Sequence, residues 1–85
     1  MKQNIFEYFR HHKLTPYEIL IVFFGLTSPT KDSNNFVTIN DASNYTGLTE
    51  ASVVGIVWNL SFREFTDIEP IGYRINEKAF FTKNI

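Results

Sequence analysis

The sequence predicts a small α+β domain, mostly helical and closed by a two-stranded hairpin, and three observations carry that prediction. The stretch Val37 to Leu60, VTINDASNYTGLTEASVVGIVWNL, reads as two short helices joined by a tight turn. A run of apolar residues from Ile19 to Phe24 follows a helix-start signal at Thr15-Pro16-Tyr17-Glu18. After Leu60 the hydrophobic spacing changes from period 3.6 towards period 2, as strands require.

In chain order, Ile5, Phe6 and Phe9 fall at helical spacing while Lys2, Glu7 and Arg10 point elsewhere, so an amphipathic helix is expected over roughly Gln3 to His11. This amino-terminal helix, assigned to 1–13, either covers the core of its own chain or exchanges with a second copy. At Thr15, a capping hydroxyl precedes Pro at the first helical position, and Glu18 stands where its carboxylate can bond back to the cap amide. The helix opened there, assigned to 15–27, is apolar on all sides and is expected at the centre of the core, under both the amino-terminal helix and the two-helix unit. A buried strand is the competing reading of so β-branched a run, and the capping box favours the helix. Ser28-Pro29 ends it, and Thr30 to Asn35 is polar, turn-forming and expected to be mobile. Phe36 to Ile39 alternates as a short strand does.

The two-helix unit is assigned to 37–62. Asn40 is expected to cap a first helix over Asp41 to Tyr45, Gly47 to supply positive φ at its end, and Thr49 to cap a second helix reaching Phe62. Phe65 to Ile68 and Gly72 to Ile75 are expected strands of a hairpin within 64–76, turned through Glu69-Pro70-Ile71. From Asn76 the chain either begins a last helical turn or runs on as an extended tail.

Composition excludes several classes. Eighty-five residues make one domain, with no cysteine for disulfides or thiolate metal sites, and with 44% apolar residues, nine of them Phe, to build a core. The amino terminus lacks a signal-peptide apolar region, and the longest apolar run is far short of the roughly 20 residues that span a bilayer, so a cytoplasmic location is expected. His11 and His12 are adjacent and point about 100° apart on a helix, which suits a solvated helix end and not a metal site. Asp67 and Glu69 share a strand face without a histidine or cysteine beside them. There is no Ser/His/Asp spacing, no cysteine nucleophile and no phosphate-cradling glycine loop, so no catalytic residue, metal or cofactor is expected and the chain reads as a non-enzyme.

The order of elements, with the runs Ile39-Asn40-Asp41-Ala42 through Thr46-Gly47-Leu48-Thr49-Glu50-Ala51-Ser52-Val53 and Gly72-Tyr73-Arg74-Ile75-Asn76-Glu77-Lys78, resembles the winged helix-turn-helix superfamily of small transcription regulators, over about Leu14 to Phe81. The resemblance implies a winged helix with an extra amino-terminal helix, binding double-stranded DNA as a homodimeric regulator or replication accessory protein. It further implies Thr49, Ser52 and Asn59 in the major groove and Lys13, Arg74 and Lys78 on phosphates.

Charge and the helical wheel point elsewhere. The net charge is −1; Lys2, Arg10 and Lys13 against Glu7 leave Met1 to Leu14 at +2, whereas Arg63 against Asp41, Glu50, Glu64, Asp67 and Glu69 leaves Asn40 to Pro70 at −4. On the second helix Val53, Ile56, Val57 and Leu60 form the core stripe, and the opposite face carries Ala51, Val54, Gly55, Trp58 and Phe62, with no Lys or Arg from Thr49 to Phe62. Three readings of that face are open: cover by another segment of the chain, a partner or homodimer surface through Val54, Trp58 and Phe62, or insertion against thymine methyls. The second makes the chain a protein-interaction module, docking its acidic helix on another protein or mimicking nucleic-acid charge.

Overall fold

The computed structural model describes residues 4–82, so the predicted helix start at Gln3 and the charge of Lys2 lie outside the described residues. The elements run α1 (Ile5–His11), α2 (Pro16–Thr27), β1 (Val37–Thr38), α3 (Ile39–Thr46), α4 (Glu50–Phe62), β2 (Thr66–Glu69), β3 (Gly72–Ile75) and α5 (Glu77–Phe81). Five helices and a three-stranded antiparallel sheet make a small, compact α+β domain.

Local chemistry starts each element. Thr15 accepts from the Glu18 amide while the Glu18 carboxylate accepts from the Thr15 amide, closing a capping box in front of Pro16. Lys31 reaches back to donate to the Leu26 carbonyl at the other end of α2, satisfying a carbonyl the helix leaves without an internal partner. Thr49 caps α4 through the Ser52 amide, and Gly47 turns the chain between α3 and α4 with φ of 78°. The cap of α3 is Thr38, not Asn40: its hydroxyl accepts from the Asp41 amide at 3.0 Å, so the helix begins earlier, at Ile39. Asn40, displaced into the first turn, donates instead to the Glu50 carboxylate and ties α3 to α4.

Two helices end in the left-handed conformation without a glycine. α1 and α4 both close by the six-residue bond pattern, Leu14 amide to Phe9 carbonyl and Phe65 amide to Leu60 carbonyl, with Lys13 (φ 57°) and Glu64 (φ 64°) in the left-handed position that glycine ordinarily takes. In α4 the pattern also carries Phe65 into the core beside Leu60. The first hairpin strand, β2, therefore starts at Thr66 and not at the predicted Phe65.

The sheet is larger than the expected two-stranded hairpin, because β1 pairs with β3 through Val37↔Tyr73 and Thr38↔Gly72, giving the order β1-β3-β2. Gly72 permits this: a Cβ there would lie 2.2 Å from the Val37 carbonyl oxygen. The loop before β1, expected to be mobile, is tied by Asp32, whose carboxylate accepts from the Asn34 and Phe36 amides.

The core centres on α2, with Ile21 and Val22 fully buried. Its cover comes from α3, α4 and β3, while the ring contacts of α1 run to α5: Tyr8 to Phe80 and Phe81, Phe9 to Phe80. The carboxy-terminal segment is helical, capped by Asn76, and buries Phe80 completely. The α1 stripe is Ile5, Tyr8, Phe9 and His12, so Phe6, predicted within it, stands 61% exposed. His12 is not a solvated helix end: it is buried, its Nε2 donates to the Phe80 carbonyl at 2.9 Å, and its ring lies against Phe65 and Phe80. Among the described residues no helix is long and apolar enough to cross a membrane.

Candidate binding face on the second helix of the pair

α4 buries Val53, Val57 and Leu60 against the core and turns Ala51, Val54, Gly55, Trp58, Asn59 and Phe62 outward. Nothing in the described chain covers that outer face. Trp58 is 50% exposed and Phe62 78%, and apart from the adjoining helix backbone and chain neighbours no atom lies within 4 Å of where a Cβ on Gly55 would be.

The face continues past the helix. Between α4 and the tip of the β2–β3 hairpin is an open cleft of about 360 Å³, walled by Val54, Val57 and Trp58 on one side and by Ile39, Ile68 and Pro70 on the other. Ile71, at the hairpin tip and exposed, extends the apolar wall toward the start of α3. The charged groups at its edges are Glu69 and Glu50, and no Lys or Arg lines it. The wheel finds the α4 half of this cleft. The hairpin half is invisible to it, because Ile39, Ile68 and Ile71 come from three elements that only the sheet order brings together.

The residues implied for nucleic acid are dispersed. Thr49, Ser52 and Asn59 are all exposed on α4, but the Thr49 hydroxyl already accepts from the Ser52 amide and donates to the Ser52 hydroxyl. Arg74 is spoken for. Its Nε pairs with Asp67 at 3.0 Å, its Nη1 donates to the Asn34 carbonyl, and its guanidinium lies 4.8 Å from the centre of the Phe36 ring. Asp67 and Arg74 face each other across the hairpin because it closes at Glu69↔Gly72; the predicted closure, with Ile68 ending the first strand and Glu69-Pro70-Ile71 as the turn, would have put Tyr73 opposite Asp67. Lys13 and Lys78 are exposed, at the end of α1 and on α5, and form no ion pair with the described residues.

Arg63 donates to the His12 carbonyl and stacks on Phe65, so it fastens α4 to α1. Burial pushes the Tyr73 hydroxyl well above its ordinary pKa, and its O–H donates to the Ile21 carbonyl at 2.6 Å. Both are structural groups of the core edge. Among the described residues no three His, Cys, Asp or Glu side chains gather as a metal site would require.

No family model matches this chain, and no curated protein or solved structure matches it either.

Proposed function

We propose that this chain is a winged-helix module that docks another protein, receiving an apolar, basic-flanked segment in the cleft between α4 and the hairpin tip. The carrying observation is Trp58, half exposed in line with Val54 and Phe62 on a helix without a single Lys or Arg. Contiguous exposed apolar surface marks interaction sites, and tryptophan is the residue most enriched among those that dominate binding energy. DNA affinity comes largely from neutralised phosphates, and this face offers carboxylates at its rim instead. A helix laid in a groove, with anchors one turn apart, is the recognition mode such a cleft suits.

A second reading has its own support. Thr49, Ser52 and Asn59 lie exposed along the same helix, and Lys13 and Lys78 are exposed cations, which is compatible with a winged-helix homodimer on double-stranded DNA acting in regulation or replication. One titration separates the two. The emission of Trp58 is followed as either an amphipathic peptide with alternating leucine and arginine turns or a mixed-sequence duplex is added at low salt. Docking predicts a blue shift with the peptide, abolished by Val54→Glu, and no response to duplex. Duplex binding with a steep salt slope, reduced by Lys78→Ala and Lys13→Ala, together with silence towards the peptide, would overturn it.

A further inference from the structure

Resting on the docking reading, we infer that the segment received by the cleft is the α1 helix of a second copy of this chain, lying antiparallel to α4. Three observations carry it. The first is what α1 leaves outside. Its core stripe faces α5, and on the other side Phe6 is 61% exposed with Arg10 exposed one turn on and Lys13 exposed just beyond the helix end. An aromatic followed at i+4 and i+7 by cations is the chemistry the cleft lacks.

The second is register. On α4, Glu50, Val54 and Trp58 are spaced i, i+4, i+8, so they stand on one face about 6 Å apart along the axis. Phe6 and Arg10 are separated by the same rise. With the helices antiparallel, Arg10 comes level with Glu50 while Phe6 comes level with Val54 and reaches the Trp58 ring, where an edge-to-face aromatic pair can form. Gly55, next to that stripe and bare of side chain, keeps the approach open.

The third is charge. The amino-terminal fourteen residues carry +2 and the span Asn40 to Pro70 carries −4, so two copies attract through these surfaces and each repels a second copy of itself. Complementary fields of this kind choose the partner and the register more than they add affinity. The contact joins two different surfaces, and a two-fold axis makes it twice per dimer in an isologous interface, α1 of each copy on α4 of the other. Each contact is only a two-turn helix in a groove, well under the roughly 1,000 Å² of a standard stable interface, so an association in the micromolar range is expected.

The test is sedimentation of the intact chain over a range of concentrations at low and high salt. Self-association weakened by salt, with a concentration-dependent blue shift of Trp58, is the expected result. Arg10→Glu and Glu50→Arg should each weaken association about tenfold, Phe6→Ala at least as much, and the charge-swapped double variant should recover most of the loss. Circular dichroism melts confirm that each variant folds. If the double variant associates no better than the singles, the pairing is wrong. A chain that stays monomeric at every concentration yet binds the amphipathic peptide overturns self-docking and leaves the docking reading standing; a monomer that also ignores the peptide overturns both.

Discussion

Two glycines within helices should respond to alanine with opposite signs. Gly25 lies in α2 where it crosses β3, and a Cβ there would meet Ile75 Cγ1 at 2.9 Å and both Ile75 Cδ1 and Tyr73 Cε2 at 3.0 Å. Ordinary carbon contacts are about 3.5–4.0 Å, so these atoms must retreat by about 0.5–1 Å. Tyr73 has no room to do so: its ring is fully buried and its hydroxyl is held by the Ile21 carbonyl of the same helix. Overpacking costs about 1–3 kcal/mol against a helix-propensity gain of about 1 kcal/mol for Gly→Ala. Gly25→Ala should therefore destabilise by about 1 kcal/mol. At Gly55, with nothing within 4 Å, only the propensity term acts, and Gly55→Ala should stabilise by about 1 kcal/mol. For a domain of this size each kcal/mol moves Tm by about 4–8 °C, so the two variants should melt about 8–16 °C apart, one on each side of the parent. Thermal melts by circular dichroism measure this. Two variants shifted upward together would refute the close α2–β3 approach.

Three further outcomes follow from the same geometry. Thr38→Ala removes the α3 cap and should cost about 1 kcal/mol in chemical denaturation, whereas Asn40→Ala, which loses exposed bonds to Glu50 and Asn44, should cost much less; the reverse order would restore Asn40 as the cap. Because burial raises the Tyr73 pKa, the unfolded chain loses that proton first as pH rises. Stability should thus be unaffected by this group below about pH 10 and fall above it, by at most about 1.4 kcal/mol per pH unit. Tyr73→Phe should remove that alkaline slope while costing about 1 kcal/mol at neutral pH for the lost hydrogen bond, and an unchanged slope would contradict the assignment. Glu64→Gly, at φ of 64°, should stabilise by up to about 1 kcal/mol by relieving the left-handed strain, read from the shift in the denaturation midpoint.

The parts of the fold legible in the sequence are those written in local chemistry. The capping box at Thr15 and Glu18, the αL glycine at Gly47 and the cap at Thr49 need only neighbours in the chain to act, and each acts as its residue type dictates. What escaped depended on distant partners. Thr38 outcompetes Asn40 because β1 fixes its backbone as extended just before the helix, and β1 is only two residues long, too short to carry a periodicity. Lys13 and Glu64 end helices without the glycine that would announce it. His12 looks polar in sequence and is core in space because Phe80, sixty-eight residues away, offers it a carbonyl.

The candidate face divides in the same way. Val54, Trp58 and Phe62 follow from a wheel drawn on α4, and all three are exposed. Arg74 looked like a free cation until its cross-strand neighbour Asp67 and the ring of Phe36 are placed around it. The hairpin wall of the cleft depends on the sheet order and could not be drawn from spacing alone.

Docking requires the α4 face to be bare in the single chain, and quenching of Trp58 measures that directly. At concentrations low enough to keep the chain monomeric, its emission should lie near that of tryptophan in water and be quenched readily by both acrylamide and iodide. A blue-shifted Trp58 that resists both quenchers in the monomer would mean that the chain covers its own face, and the docking function would fall with it.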